Sequence, residues 1–166
     1  MADDDAPFIV ELLNDPAFIR YIGDKGVRTV DDALRYIAEG PVASHAKHGF
    51  GLDVVSLKSN QAPIGICGLL KRETLPEPDI GFAYLASHCA HGYGYEAADA
   101  TLAHARDVLR VPRVLAITSP DNAASIRLLE KLGFRFERMT SLTQGASDVR
   151  LFSRDLQAVH PLACHG

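Results

Sequence analysis

The chain reads Asp79-Ile-Gly-Phe-Ala-Tyr-Leu85 and then, after one residue, Ser87-His-Cys-Ala-His-Gly-Tyr-Gly-Tyr95. The first run is short, apolar and bounded by turn residues, which predicts a β-strand. Gly92 and Gly94 then open an amphipathic helix, whose first N–H groups have no partner within the helix and lie at the positive end of its dipole. Glycine also removes the Cβ atoms that would keep a ligand away. The unit therefore predicts an anion site at His91 to Tyr95, best suited to a phosphate or pyrophosphate.

Three other interpretations of this turn compete with a pyrophosphate site of a different kind of protein. A Walker A loop would end in Gly-Lys-Ser/Thr, but this turn continues as Gly94-Tyr95-Glu96, without the lysine and the magnesium-binding hydroxyl. A Rossmann fingerprint would need a third glycine near Ala97, and it normally occupies the first strand–turn–helix unit of a chain. A glycine turn that only reverses the chain is the third interpretation, and the turn alone leaves it open.

The order of the surrounding elements follows from hydrophobic periodicity and turn residues. Before the turn, helices are predicted at about 7–13, from Pro16 onward, and from Thr29 to Gly40, where Thr29 and Asp32 form a capping-box pattern. The other predicted elements are an antiparallel meander of strands at 51–57, 63–71 and 79–85, a long helix after Gly94, a strand at 114–118, a helix at 125–132 and strands at 134–139 and 147–156.

A second segment, Ser119-Pro-Asp-Asn-Ala-Ala-Ser-Ile-Arg-Leu-Leu-Glu-Lys-Leu-Gly-Phe134, follows a predicted strand and closes with a Gly-Phe helix stop. Its Asn-x-x-Ser and Glu-Lys-x-Gly-Phe patterns, together with the Gly92 turn, resemble the GCN5-related N-acetyltransferase (GNAT) superfamily. Asn14-Asp-Pro16 and Asp31-Asp-Ala33 are similar to its RimJ/RimL-type branch, which acetylates ribosomal-protein and other N-terminal amines. The likeness covers most of the chain, from about residue 6 to 156.

The resemblance implies an α/β (α+β) fold of the acyl-CoA N-acyltransferase type, with a mixed, mostly antiparallel central sheet flanked by helices. Acetyl-CoA, as a cosubstrate and without a metal, would lie where two parallel strands, at 79–85 and 114–118, splay apart. The glycine turn would hold its pyrophosphate through main-chain N–H groups. The residues that the resemblance places against acetyl-CoA are Phe82, Ala83, Tyr84, Leu85, His91, Gly92, Tyr93, Gly94, Tyr95, Asn122 and Ser125.

Aminolysis of a thioester sets the demands on the catalytic residues. The amine attacks only when neutral, so a base or a water chain must take its proton, and an acid aids the departing thiolate. Asp79 is the candidate base, because the family often places a carboxylate on this strand; Glu73 and Glu77 are alternatives, and Asp79 could equally be a solvated residue at a strand start. Ser125 is the candidate acid, because Leu129 stands where many members of the family carry a tyrosine.

Two other departures from the family pattern concern the turn and the start of the chain. Cys89 stands at the first position of the Arg/Gln-x-x-Gly-x-Gly motif, so one side-chain contact to the pyrophosphate is absent. The chain reaches Pro7 almost at once, so the edge strand that normally precedes the first helix is missing or the given start is late. A bare sheet edge is a liability that a second subunit would cover, so a homodimer is one expectation.

The predicted function is therefore transfer of acetyl from acetyl-CoA directly to a primary amine, with a protein N-terminal α-amine as the leading acceptor. An acetyltransferase for a small-molecule amine is the first alternative. The second is a domain that binds acyl-CoA and senses it without catalysis, which the leucine at position 129 favours.

Composition limits the remaining classes. A chain of 166 residues with 47% hydrophobic and 23% charged residues predicts one globular domain, here 1–156, followed by a loose tail at 157–166. A formal net charge of -4 argues against a broad polyanion-binding surface, so no nucleic-acid partner is predicted. No apolar run reaches the roughly 18 residues that span a bilayer and the start is acidic, so no membrane partner and a cytoplasmic location are predicted.

Cysteine and histidine spacing favours reduced thiols and no metal. The three cysteines have no paired CxxC spacing. His88, Cys89 and His91 would form a zinc site with Cys164-His165 only if two neighbouring ligands on a turn could share one tetrahedral ion; a polar loop is the alternative. Cys89 as a nucleophile with His91 as its base is a weaker rival, because the nearest oxyanion device is the turn already assigned to phosphate.

Overall fold

The computed structural model describes residues 1–157; residues 158–166, which form all but the first residue of the predicted tail, lie outside the described part. The helices are α1 (Ala6–Leu13), α2 (Pro16–Tyr21), α3 (Val30–Ile37), α4 (Ala43–His48), α5 (Tyr93–Asp107) and α6 (Ala123–Lys131). The strands are β1 (Leu52–Ser56), β2 (Pro63–Leu70), β3 (Asp79–Tyr84), β4 (Arg113–Thr118), β5 (Arg135–Thr140) and β6 (Val149–Asp155).

Within residues 1–157, the six strands form one sheet in the order β1-β2-β3-β4-β6-β5. The neighbours β1/β2, β2/β3, β4/β6 and β5/β6 are antiparallel, whereas β3 and β4 run parallel. The predicted meander is β1 to β3, and the predicted parallel pair is β3 and β4. The expected fold class, a mixed and mostly antiparallel sheet flanked by helices, is confirmed.

Each face of the sheet has its own core. On one face, α5 and α6 pack through residues such as Ala98, Leu102 and Leu129 against Ile80 and Phe152. On the other face, α1, α2 and α3 bury a second cluster against β1 and β2, which includes Leu52 and Ile66. The same face beyond these helices, over β4 and β6, carries a small cluster of Leu75, Leu115 and Leu151. The faces are called below the α5/α6 face and the α1/α3 face.

Local chemistry explains several element boundaries. Thr29 accepts a hydrogen bond from the amide of Asp32 at 3.1 Å, and Asp32 accepts one from the Thr29 amide at 3.1 Å, which completes the predicted capping box. Asp15 caps α2, whose first residue is Pro16. Gly133 follows α6 at φ +85°, the left-handed conformation that glycine adopts most readily.

The prediction that the third helix runs to Gly40 and stops there is wrong. Regular α-helix ends at Ile37, and the chain continues through a π-helical turn at Ala38–Val42 directly into α4. Pro41 lies inside this turn, and because proline lacks an N–H and collides with the preceding turn of an α-helix, a locally wider helix accommodates it. The stop occurs later, at Gly49, where φ is +79°.

Between residues 1 and 157, no helix combines the length and the apolar character needed to cross a bilayer.

Candidate active site

The strands β3 and β4 part almost as soon as they meet. Their one paired register joins Asp79 to Leu115, and the Leu115 amide donates to the carbonyl of Pro78 at 2.9 Å. β3 remains paired with β2 as far as Tyr84, and β4 remains paired with β6 as far as Thr118. From Asp79 onward the inner edges of β3 and β4 therefore leave a gap with unpaired main-chain groups on both sides.

The phase of the main chain decides which residues of β3 face this gap. Along a strand, the N–H and C=O groups of successive residues point alternately to the two neighbouring strands. The Pro78 carbonyl bonds to β4, whereas the Leu85 amide donates to the Ile64 carbonyl on β2 at 2.9 Å. Even-numbered residues, including Phe82 and Tyr84, thus turn their main-chain groups to the gap.

Ala83 and Leu85 share the opposite phase. Ala83 pairs with Ile66, and the Leu85 carbonyl is already the acceptor for the His88 amide at 2.9 Å. Of the four residues expected to offer main-chain groups to acetyl-CoA, Phe82 and Tyr84 have them free toward the gap, whereas those of Ala83 and Leu85 are directed to β2 or to the following turn. The same alternation on β4 turns Ile117 toward the gap, a residue that the sequence analysis missed.

The glycine turn forms the predicted cradle at one end of the gap. Gly92 is the N-cap of α5 at φ +82°, and its carbonyl accepts the first helical hydrogen bond from the Glu96 amide at 3.1 Å. The amides of Tyr93, Gly94 and Tyr95 precede that bond, so they have no partner within the helix. No side chain caps this end of α5. Three N–H donors at the positive end of a fifteen-residue helix are suited to bind an anion.

Side chains from three elements surround the cradle. A Cβ atom on Gly94 would lie 3.3 Å from Leu128 of α6 and 3.4 Å from the ring of Tyr84, so these two helices and β3 approach each other closely at this point. Lys131 at the end of α6 lies with its Nζ 4.7 Å from the centre of the Tyr95 ring. His91 is exposed and lies beside Tyr93. Lys131 is a cation next to the cradle that the sequence analysis did not single out.

Two hydroxyl groups on the α5/α6 face are buried without a hydrogen-bond partner among residues 1–157. They belong to Tyr84 and Thr118, which end β3 and β4 at the open end of the gap. Burial raises the pKa of the Tyr84 phenol. A buried polar atom without a partner is costly, so its presence indicates a place where water or a ligand completes the bonding.

The residues predicted at the thiol end have local roles of their own. The Asn122 side chain accepts a hydrogen bond from the Ser125 amide at 3.2 Å and so caps α6. Ser125 is half-buried in the first turn of that helix. Leu129 is completely buried in the core under α6, where a leucine completes the apolar packing. Asn122 and Ser125 stay predictions as cofactor-binding residues, and Ser125 stays one as the acid.

Asp79 lies at the closed end of the gap, with its side chain 1% exposed. Nε of Arg72 donates to both of its carboxylate oxygens, at 3.2 and 3.1 Å. Burial raises the pKa of Asp79, and the neighbouring Arg72 guanidinium opposes this rise without cancelling it. Asp79 pairs across the ladders with Leu70 and Leu115, so its side chain lies on the α1/α3 face, opposite the two helices next to the cradle.

The alternatives from the sequence analysis fit less well. Glu73 is exposed and Glu77 is half-buried in the loop between β2 and β3, and neither has a partner that would perturb it into a base. Cys89 is exposed, and burial of its thiol together with the charge of Asp15 raises its pKa, which disfavours the thiolate that a nucleophile needs. Within residues 1–157 there is no group of three or more histidine, cysteine or acidic side chains that could hold a metal, and Cys164 and His165 lie outside that range.

The geometry thus combines a strand gap, an anion cradle at its open end and a buried carboxylate at its closed end. The model of the GNAT acetyltransferase domain family matches residues 1–135. The chain belongs to the GNAT acetyltransferase family. As a GNAT protein it is an acyltransferase, and the likeness expected from the glycine turn and the Gly-Phe helix stop is confirmed.

Individual GNAT relatives support the same conclusion. The N-acetyltransferase YoaA of Bacillus subtilis is 26% identical over 139 residues, which are 82% of this chain and 77% of that protein. The spermidine N-acetyltransferase from Vibrio cholerae, solved with CoA and spermine, superposes with a TM-score of 0.77 at 16% identity, over 94% of this chain and 92% of that one. The ribosomal-protein-S5-alanine acetyltransferase from Vibrio fischeri does so with a TM-score of 0.71 at 20% identity, over 93% and 90%. These two structures show a shared fold.

Proposed function

We propose that this protein transfers the acetyl group of acetyl-CoA to the α-amine of a protein or peptide N-terminus, with Asp79 as the proton acceptor. The observation that carries the proposal is the parting of β3 from β4 directly after Asp79, with the unpaired amides of α5 at the other end of the same gap. A gap of this kind admits an extended thioester chain, held at its phosphates at one end and presented to a carboxylate at the other.

The residues fit the cofactor. The amides of Tyr93, Gly94 and Tyr95 would bind the pyrophosphate, and Lys131 would add a positive charge beside it. Main-chain groups of Phe82, Tyr84 and Ile117 would bind the amides of the pantetheine arm. When bound, acetyl-CoA supplies an activated acyl group with a thiolate as its leaving group.

Asp79 meets the chemical requirements for the base. It is a carboxylate that is removed from bulk water, and its pKa is raised toward the operating range of a base. Arg72 holds both oxygens, so the orientation of the carboxylate is fixed before substrate arrives. Removal of the ammonium proton, directly or through a water, would leave a neutral amine positioned to attack.

The charges around Asp79 favour an α-amine over a polyamine. The carboxylate faces Arg72 and feels the charge of Lys71, and Lys25 in the loop between α2 and α3 feels the charge of Arg72, which lowers the pKa of Lys25 together with burial. A polyamine with several positive charges would be repelled by this group of three cations. An N-terminal α-amine has one charge and a pKa of about 7.7–8.0, well below the roughly 10.4 of an alkyl ammonium, so a weak base suffices.

A small-molecule amine remains the second candidate acceptor, because the structures that share this fold include both a spermidine and a ribosomal-protein acetyltransferase. A homodimer and a cytoplasmic location stay predictions. The sensor alternative is separated from both catalytic candidates by turnover.

The deciding experiment is an acceptor panel. The purified protein is incubated with acetyl-CoA and, in parallel, with unmodified peptides, the same peptides with a blocked N-terminus, and spermidine, while release of the CoA thiol and acceptor mass are followed. We expect thiol release and a single added acetyl group on the N-terminal residue of the unmodified peptides. Acetylation of spermidine in preference to every peptide would replace the acceptor class, and CoA binding without turnover on any acceptor would establish the sensor.

A further inference from the structure

A second, strongly polar cavity lies far from the gap. It has a volume of about 410 Å³ and is lined by three arginines, Arg113, Arg135 and Arg154, with Glu137, Ser153 and Asp155. Arg113 begins β4, whereas Thr118, at the open end of the gap, ends it. At about 3.3 Å per strand residue, five residues separate the two places by roughly 16 Å.

Strand register, not chance proximity of flexible ends, brings these side chains together. Arg113 pairs with Asp155 across β4 and β6, and Arg135 pairs with Ser153 across β5 and β6. Because Leu115 pairs with Ser153 in the same ladder, this group shares the α1/α3 face with Leu115. On that face α1, α2 and α3 cover β1 and β2, so the half of the sheet that holds the cavity is not covered by these helices.

The hydrogen bonds inside the cavity leave donors over. Arg113 donates one bond to Glu137 at 3.1 Å, and Ser153 donates to the same carboxylate oxygen. Asp155 lies 3.9 Å from Arg113, an ion-pair distance without a hydrogen bond. The Nε of Arg113 is buried and has no partner, and within residues 1–157 neither Arg135 nor Arg154 forms an ion pair.

We infer that this cavity, here called the arginine cavity, is a second ligand site that binds a small dianion, a phosphate group or a pair of carboxylates. Three guanidiniums face two carboxylates, so the cavity has an excess positive charge in a chain whose formal net charge is -4. Guanidinium groups bind phosphate and carboxylate oxygens in the same forked geometry, so both chemistries satisfy the free donors. The volume lies within the range of small-molecule sites, which is about 300–1,000 Å³.

The test uses inorganic phosphate and succinate as probes, at constant ionic strength and with saturating CoA so that the cradle at Gly92 is filled. Thermal stability of the full-length protein is recorded against probe concentration, since a ligand that binds the folded state raises the melting temperature. We expect a saturable rise with at least one probe, with half-saturation in the millimolar range or below. Saturation by phosphate alone would assign a phosphate site, and saturation by succinate alone a dicarboxylate site.

The variants Arg135→Gln and Arg154→Gln should each raise the half-saturating concentration by about tenfold, the loss of one charged hydrogen-bonding group. Arg106→Gln, which removes an exposed guanidinium on α5, is the matched control and should leave it unchanged. Circular dichroism shows whether a variant is folded, and either arginine suffices. The absence of saturation with both probes, or saturation that is equal in all variants, would overturn the inference. Because the readout is stability, its outcome is independent of acetyl transfer.

Discussion

Arg72 joins a buried carboxylate to solvent: its Nε donates to both oxygens of Asp79, at 3.2 and 3.1 Å, while the arginine side chain is 37% exposed and Asp79 is 1% exposed. A buried charge without a partner is strongly destabilising, so this pair is what allows an ionised carboxylate at the closed end of the gap. It also leaves the carboxylate accessible from one direction, along the guanidinium.

Replacing Asp79 with asparagine should reduce kcat by about a hundredfold or more, the range that general acid–base catalysis contributes. The shape is nearly conserved, so CoA affinity should change little. The matched control is Asp31→Asn, an exposed carboxylate on α3, which should leave kcat unchanged. Steady-state kinetics with the best peptide acceptor measures both. An unaltered kcat in the Asp79 variant would remove Asp79 from the mechanism.

The acid limb of the pH–rate profile should follow the raised pKa of Asp79. The base must be ionised, so activity falls as the pH falls through a pKa that lies above the ordinary carboxyl value of about 3.9. Arg72→Gln removes the charge that opposes the rise, so its acid limb should move to higher pH, whereas Arg106→Gln should not move it. A limb that shifts to lower pH in Arg72→Gln would contradict the assignment.

The same titration has the opposite sign for stability. Because the pKa of Asp79 is raised in the folded state, the folded protein binds this proton more tightly than the unfolded chain does. Its contribution therefore favours folding at low pH and is lost as the pH rises from about 3.9 through the folded value. Urea unfolding at several pH values should show this decrease as the difference between wild type and Asp79→Asn.

Gly92→Val should weaken CoA binding by at least about tenfold, because a branched side chain would lie against the phosphates and disturb the left-handed N-cap. Gly145→Val is the matched control: Gly145 has φ +81° against +82° for Gly92, and neither has an atom within 4 Å of a built Cβ. Both variants should lose at least about 1–2 kcal/mol of unfolding free energy. Calorimetric titration with CoA measures the affinity, and equal binding in the two variants would show that the turn is not the cradle.

The two described cysteines should differ in reactivity. Cys67 is 4% exposed, and burial raises the pKa of its thiol to about 11, whereas Cys89 is exposed in the turn before α5. In a Cys164→Ser background, Ellman's reagent at pH 8 should titrate one thiol quickly and the second only on unfolding. Cys89→Ser should abolish the fast phase, and a fast phase that survives in that variant would show that Cys67 is accessible.

Asn122→Ala should lower the free energy of unfolding by about 0.5–2 kcal/mol, the usual cost of losing an N-cap. Asn122→Asp keeps an oxygen that can accept from the Ser125 amide, so it should restore stability. CoA affinity then distinguishes the cap from the cofactor contact. Equal affinity in wild type and the aspartate variant would limit Asn122 to capping, whereas a loss despite restored stability would support the predicted contact.

The sequence by itself determined the features that depend on a few neighbouring residues. The capping box at Thr29, the left-handed stop at Gly133 and the glycine N-cap of α5 arise from backbone preferences and from hydrogen bonds that span three or four residues. The order of helices and strands followed from the period of the apolar residues, and with it the gap beside β3. The fold and the cradle could be predicted for this reason.

Tertiary structure decided whatever depends on pairing between distant segments. Which of Phe82 and Ala83 faces the gap is fixed by the hydrogen-bond phase of β2 and β3, and a shift of one residue would exchange them. Arg72 reaches Asp79 because the loop after β2 folds back over β3, and the arginine cavity exists because the registers of β4, β5 and β6 align its side chains. Such contacts follow from the summed packing of the whole core, which no local pattern of residues encodes.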